Sequence, residues 1–245
     1  MSPPTCPSAS CRVLVSGFQD AYSIALDGRG AVFVSHSAGQ LDRIELATGR
    51  RTTVASGLGN LRGVTTDGAG NVYVADFGGS VIEVDGVTGA HRKFAFGLGE
   101  GLLGLAYGNG HLYAGSESGP WDITDTPHKV VDGDGWTSDL AVAEDGEIYE
   151  SSFIGTVSRV DPMTGAVHVL ASDQYEPQAV QVATNGVVYF AAGGTLHAID
   201  TATGRVSPDI RLGATDDLFD FGLGVDKTSV ALNGGQLWEI TGYNG

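Results

Sequence analysis

The chain has 245 residues and a formal net charge of −16 at pH 7, with 13 Lys and Arg residues against 29 Asp and Glu. This balance disfavours nucleic acid and anionic membrane surfaces as partners, because neutralising phosphate groups requires clustered cations. No apolar stretch approaches the roughly 18 residues needed to span a membrane. Met1–Thr5 has neither the basic nor the apolar part of a signal peptide, so we expect a cytoplasmic protein.

Residues 1–11 are rich in Pro and Ser and predict a flexible leader. The leader contains Cys6 and Cys11, which are the two cysteines of the chain. With no histidine nearby they make a poor metal site, so we expect free thiols; a local disulfide is the alternative if the protein is exported.

After the leader, a segment of about 40 residues recurs six times. In the clearest copy, residues 57–96, an apolar strand precedes an Asp-Gly turn, and a second strand ends at Asp76. A third and a fourth strand flank a Thr-Gly turn at Thr88-Gly89. Four short strands per repeat are typical of a propeller blade. The sequence therefore predicts one all-β domain, a six-bladed propeller with blades near residues 17–56, 57–96, 97–133, 134–172, 173–211 and 212–241.

The sixth copy reaches only its third strand before the sequence ends. Residues 12–16 match the fourth strands of other copies, such as residues 52–56. We expect this N-terminal strand to complete blade six and close the ring, which leaves no large unpaired sheet edge.

The stretch from Arg62 to Asp76 resembles an NHL-type repeat, and this resemblance covers about 230 residues. Two enzyme groups share the repeat style, the streptogramin B lyases and the gluconolactonase and regucalcin group. The lyases have seven blades and second strands of the W-F-T-E type, whereas here those strands read Tyr-Val-Ala-Asp or similar. The lactonases resemble the chain in blade number, but their S-N-G metal-ligand segment is absent. The resemblance implies the architecture and a site at the channel mouth, and no catalytic residue is transferred.

Functional residues are expected where the repeat is broken. In such blades the first strand lines the channel, and the loop leading into it opens on the same face as the loop after the second strand. In repeat register, six residues should ring the mouth: Tyr22, Arg62, Leu103, Ser138, Gln178 and Phe221. Tyr22 and Arg62 are candidates to orient or polarise a substrate oxygen, and Arg62 is equally plausible as a counter-ion for Asp20 or Asp76.

His36 and Asp76 share a register after the second strand. His36 is a candidate general base, or a metal ligand with Asp76 and Asp20; the alternative is a histidine hydrogen-bonded to a neighbouring blade. Asp76 has a structural alternative as well, because Asp at this position often caps loop amides.

Asp139 stands on a channel-lining strand where other blades have Gly63 or Ala179, and Asp220 lies close to the mouth. Unpaired carboxylates in a narrow mouth have raised pKa values, which suits acid/base chemistry. Glu176, in the loop leading into blade five, is a further candidate.

Aromatic side chains on this face predict an apolar cup, the usual composition of a small-molecule site. The candidates for substrate contact, with Asp20, Arg62 and Gln178, are Phe18, Trp136, Tyr175, Phe219 and Phe221.

These observations favour an enzyme that transforms a fairly apolar small molecule by acid/base chemistry, as a lyase, cyclase or isomerase. A non-catalytic binding propeller is the first alternative, and a metal-dependent lactonase the second. We expect no organic cofactor, with a divalent metal as an option, and a monomer or weak oligomer.

Overall fold

The protein is a ring of six antiparallel sheets with four strands each, which confirms the predicted six-bladed propeller. The structure, a computed structural model, describes residues 11–132, 135–211, 218–224 and 228–241. Within these ranges there is no helix, and so no helix that is able to cross a membrane.

The strands of the first three blades and the closing strand are β1 (Cys11–Ser16), β2 (Ala21–Leu26), β3 (Ala31–His36), β4 (Leu41–Glu45), β5 (Arg51–Ala55), β6 (Leu61–Thr66), β7 (Asn71–Asp76), β8 (Ser80–Asp85), β9 (His91–Phe96), β10 (Leu105–Gly108), β11 (His111–Ser116), β12 (Gly119–Asp122) and β13 (His128–Lys129). Those of the last three blades are β14 (Thr137–Val142), β15 (Ile148–Ser152), β16 (Thr156–Val160), β17 (Val167–Ala171), β18 (Ala179–Val182), β19 (Val188–Ala192), β20 (Thr195–Asp200), β21 (Arg205–Arg211), β22 (Leu218–Gly222), β23 (Thr228–Asn233) and β24 (Gln236–Thr241).

The ring is closed by the N-terminal strand, as predicted. β1 pairs antiparallel with β24, from Cys11 opposite Ile240 to Ser16 opposite Gln236. An ion pair between Arg12 and Glu239 spans the same two strands. The first and last described strands therefore lie in one sheet, so opening the ring costs the hydrogen bonds of a whole strand pair.

Cys11 differs from the expectation. It is buried in β1 and forms a disulfide, so the predicted free thiol at this position is wrong. Cys6 and the rest of the predicted leader up to residue 10 lie outside the described residues.

The core lies between blades rather than in one centre. β3 is buried at all of its positions, because its two faces pack against different neighbours. Phe33 of this strand contacts an apolar cluster that includes Val64 and Val72 of the next blade. The first strand of each blade is left to line the central channel, which positions the site.

Candidate functional site

One position on each channel-lining strand faces the backbone of the next blade. It holds Ser23, Asp139 and Asp220 in blades one, four and six, each just after a strand irregularity. At the same register, blade two has Gly63, where a Cβ atom would lie 2.4 Å from the Leu103 carbonyl oxygen. A side chain fits at this register only where the next blade leaves room, and three blades place a polar group there.

These polar groups bond to the next blade. The Val180 N–H donates to Asp139 Oδ2 at 3.0 Å, and the Ile24 N–H donates to Asp220 Oδ2 at 2.8 Å. Asp220 also accepts from the Ser23 hydroxyl at 2.7 Å and from the Phe221 N–H at 2.7 Å. Both carboxyl groups therefore hold blades together, and each such bond contributes about 0.5–1.5 kcal/mol when the group is neutral and about 1.5–3 kcal/mol when it is ionised.

The two aspartates are buried, and this changes their protonation. Burial raises the pKa of Asp139 well above its usual range, and the neighbouring charge of Asp220 raises it further. Burial also raises the pKa of Asp220, to about 6, although its three hydrogen-bond donors oppose the shift. Both carboxyl groups therefore hold a proton more tightly than an ordinary aspartate, and the added effect of the neighbouring charge makes Asp139 the candidate acid and Asp220 the candidate base.

Tyr22 and Arg62 stack beside this pair. The Arg62 guanidinium carbon lies 4.6 Å from the centre of the Tyr22 ring and 5.3 Å from that of Phe77. Burial raises the pKa of Tyr22, Arg62 opposes the shift, and the charges of Asp139 and Asp220 add to it. The phenol therefore remains protonated and is able to donate a hydrogen bond, while the stacked cation fixes its ring.

The carboxylates stand at a constriction between two spaces. On the predicted mouth side, a cavity of about 10 Å³ is lined by Ser23 and both aspartates together with Tyr22, Gly63, Leu103, Ser138, Gln178 and Phe219. On the other side, a channel cavity of about 230 Å³ shares Ser23, Asp139 and Asp220 and extends along the inner strands past Thr65, Tyr107 and Gln181. The mouth cavity has room for about one water molecule. The larger space, which leads to the face with the Asp-Gly turns, is where a ligand has room to reach the pair.

Four of the six predicted ring residues line the mouth cavity, and a fifth, Arg62, stacks on Tyr22 without lining it. The sixth position is occupied by a different residue. Phe219 lines the mouth and Phe221 does not. The irregularity between Leu218 and Asp220 aligns Asp220 with Asp139, so the residue before Asp220 takes the ring position. Phe221 is 2% exposed and packs in an interblade core, which corrects its predicted contact with substrate.

Phe18 is also a core residue. It is 6% exposed and packs with Ile24 and Val34, and the Arg51 guanidinium lies 4.7 Å from its ring centre. Its predicted position in the apolar cup is therefore wrong, because the loop turns the ring inward.

His36 is engaged by the protein on both ring nitrogens. Nδ1 lies 3.0 Å from the Gln19 carbonyl oxygen, and Nε2 lies 3.0 Å from Asp42 Oδ2. Burial alone would raise the pKa of Asp42, but hydrogen bonds from His36, Thr53 and Gln40 and the charge of Arg51 lower it to about 2. This placement, outside the linings of both cavities, favours a structural role for His36, although both partners belong to its own blade and not to a neighbouring one.

Asp76 is the last residue of β7 and binds a loop amide, and Asp20 lies in a loop. The Asn60 N–H donates to Asp76 Oδ1 at 2.9 Å, which is the amide cap named as the alternative. Asp20 is exposed with a φ of 58°, and its carbonyl oxygen accepts from the Ser37 N–H. Neither carboxylate lines the channel or mouth cavity described above.

Three candidates are exposed at the surface, in the loops that lead into blades four and five: Trp136, Tyr175 and Glu176. Trp136 is 45% exposed and Tyr175 is 74% exposed, while Glu176 is exposed beside it. The φ values of Trp136 and Glu176 are 30° and 45°, a region that costs non-glycine residues energy. These three side chains stay candidates for contact with a molecule at the surface, away from the carboxylate pair.

The described residues do not fit a divalent metal. Within them, no group of three or more His, Cys, Asp and Glu side chains comes together that is able to hold an ion. The predicted trio of His36, Asp76 and Asp20 is dispersed over the separate contacts given above, so we derive no step through a metal.

Sequence reasoning missed Ser23 and Asp42. Ser23 was detectable, since it replaces the small residue of other blades in the register of Asp139. Asp42 lies on β4, the third strand of blade one, and is 0% exposed. The alternation of apolar and polar residues along that strand did not indicate that the side chain points inward.

The fold is shared with solved structures at low sequence identity. A streptogramin B lyase matches with a TM-score of 0.74 at 12% identity, over 95% of this chain and 98% of that protein. A gluconolactonase from Xanthomonas campestris gives 0.81 at 11%, over 98% and 95%. A chain of a nidogen/laminin complex gives 0.70 at 16%, over 78% and 80%.

No protein family profile and no curated protein matches the sequence. The structural matches confirm the predicted resemblance to streptogramin B lyase and gluconolactonase propellers at the level of fold.

Proposed function

We propose that this protein is an enzyme that transforms a small molecule by acid/base chemistry at Asp139 and Asp220. The observation that carries the proposal is the pair itself, two buried carboxyl groups with raised pKa values at the constriction of an open channel. Perturbed pairs of this kind cluster at active sites. The likeness to a streptogramin B lyase and a gluconolactonase agrees with an enzymatic propeller.

Four side chains have roles in this proposal. Asp220 acts as the base and takes a proton from the substrate, and Asp139 acts as the acid and returns one to another atom of it. Tyr22 donates a hydrogen bond to a substrate oxygen that gains negative charge, and Arg62 holds the phenol ring in place. A proton removed at one atom and returned at another is the net change of an isomerase, lyase or cyclase, the reaction classes we favour.

The channel wall limits the substrate. Its volume of about 230 Å³ lies below the range of roughly 300–1,000 Å³ for drug-sized ligands, so the reacting part must be small. Its lining includes the polar residues Thr65, Thr66 and Gln181 together with the apolar residues Ile24 and Leu140. A compact molecule with an oxygen function on an apolar frame suits this lining.

A non-catalytic binding propeller is the second candidate. It is favoured by the hydrogen bonds of both aspartates to the next blade, since a purely structural role accounts for them. This candidate predicts saturable binding without turnover.

The deciding experiment is turnover of a panel of lactones, epoxides and enolisable ketones by the wild-type protein and by the D139N and D220N variants. D76N is the matched control, because Asp76 also accepts a backbone N–H but lies at the end of β7, outside the linings of both cavities. We expect turnover to fall at least about a hundredfold in D139N and D220N, as for loss of a general acid or base, and to persist in D76N. Undiminished turnover in D220N would exclude the assignment.

Elemental analysis of the purified protein, with activity measured before and after chelation, separates this chemistry from a metal-dependent lactonase. The cytoplasmic location and the monomer or weak oligomer remain predictions. The disulfide at Cys11 is more typical of oxidising compartments and does not favour that location.

A further inference from the structure

A second cavity lies between blades one and two, on the face with the Asp-Gly turns. Its volume is about 570 Å³, within the usual range of small-molecule sites. The first-to-second-strand turns of both blades and the fourth strand of blade one form its walls. Thr66 lines both this cleft and the channel, so the two spaces are neighbours.

The cleft concentrates cations on an acidic protein. Arg29, Arg43 and Arg50 line it, three of the 13 Lys and Arg residues of the chain, while Asp27 is the one acidic residue of the lining. Asp27 lies 3.6 Å from Arg43, and Glu45, outside the lining, lies 3.3 Å from Arg50. Arg29 donates to the Gly68 and Ala69 carbonyl oxygens across the blade boundary. A guanidinium has five N–H groups, so these contacts leave donors for a ligand.

The equivalent cleft between blades three and four has the opposite charge. Arg43 stands opposite Phe33, and Asp122 stands opposite Tyr113 at the same register. That cleft is lined by Asp122, Asp145, Glu147 and Asp161, with His111 and His128. The same strands and turns of the repeat form both clefts. The positive charge of the first cleft therefore comes from its own side chains and is not common to every pair of blades.

The floor of the cationic cleft is apolar. Phe33, Val54 and Val72 line it, and a Cβ atom at Gly86 would come within 2.8 Å of the Phe33 ring. Glycine at position 86 therefore leaves the ring in place beneath the arginines. An aromatic floor under guanidinium groups suits a ligand with an apolar body and an anionic end.

We propose that this cleft, named here the Arg43 cleft, binds a small amphipathic anion, such as a phosphate or carboxylate joined to an aromatic or aliphatic group. Arg43 and Arg50 bind the anionic end, and the apolar body lies on Val54, above the buried ring of Phe33. Such a site is independent of acid/base chemistry in the channel.

Isothermal titration calorimetry with phenyl phosphate tests the proposal. Inorganic phosphate probes the anionic part of the ligand alone, and benzyl alcohol probes the apolar part alone. We expect saturable 1:1 binding of phenyl phosphate that is tighter than either half-probe and weakens as salt rises. R43Q should weaken it about tenfold or more, and R50Q should also weaken it, as for loss of a charged hydrogen bond.

The matched control is R159Q. Arg159 occupies the register of Arg43 in blade four and lies 3.7 Å from Glu147, yet it is outside the cleft. R159Q should bind phenyl phosphate as the wild type does, and an equal loss in R159Q and R43Q would overturn the proposal.

Absence of saturable phenyl phosphate binding to the folded wild type would overturn it as well, as would unchanged binding in both R43Q and R50Q. The D220N variant should retain the binding, which keeps the outcome separate from that of the proposed activity.

Discussion

Replacing Asp220 by asparagine should flatten the pH dependence of folding stability between about pH 4 and pH 6. In the native protein the pKa of Asp220 is raised from its ordinary value of 3.8 to about 6, mainly by burial. The folded state then holds a proton that the unfolded chain has released in this window. Stability therefore falls as pH rises from the unfolded pKa to the folded one.

The size of this effect follows from the shift. A difference of about two pKa units corresponds to about 3 kcal/mol of unfolding free energy, lost between about pH 4 and pH 6 and absent from the D220N profile. D220N also loses a constant amount, because the asparagine NH₂ group faces backbone N–H donors. That loss shifts the curve without changing its slope.

Urea unfolding at half-unit steps from pH 4 to pH 7 measures the difference. His197 acts with the opposite sign, because burial lowers its pKa, but it is present in both proteins and cancels in the subtraction. Asp139 acts with the same sign as Asp220; in D220N it keeps the effect of burial and loses only the contribution of the Asp220 charge. Parallel wild-type and D220N profiles would refute the raised pKa of Asp220, and with it the assignment of acid and base.

The remaining predictions concern Tyr22, Asp42 and the route to the site. Y22F should lower kcat about a hundredfold or more on any substrate that wild type turns over, with an unchanged melting temperature, because the phenol donor is lost and the stacked ring is kept. D42N should cost about 3–5 kcal/mol in urea unfolding, because it breaks a buried pair, and leave kcat unchanged; a drop in kcat at equal folding would bring His36 back as a catalytic candidate. T65F, which fills the channel side, should abolish substrate binding, whereas Q178F, which fills the mouth side, should not; the reverse result would place access at the predicted mouth.

The fold was predictable because its signals are local and repeated. The second-strand aromatics, Phe33 and Tyr73 among them, and the Thr-Gly turns set the strand period, and the missing strand of blade six matched residues 12–16. Repetition averages out the error of any single copy. The closing strand pair of β1 and β24 follows from that count alone.

Side-chain positions near the site were harder to predict. The register of blade six failed by two residues at Phe221, because an irregularity in the strand has no signature in the alternation of apolar and polar residues. The sequence left His36 open between a general base and a structural histidine, because its partner Asp42 comes from the next strand and its orientation depends on burial. Pairwise contacts of this kind are set by packing, which the repeat does not encode.

Asp139 and Asp220 show why a break in the repeat does not by itself separate structure from function. The bond of each carboxylate to the next blade is structural, and the same position buries the group. Burial is also what raises both pKa values, so one placement produces the bridge and the titration. A purely structural bridge needs only an acceptor, and Ser23 supplies one at the same register when it accepts from the Val64 N–H. A structural bridge does not require two carboxyl groups beside a buried phenol at one constriction. The acid/base proposal accounts for this arrangement.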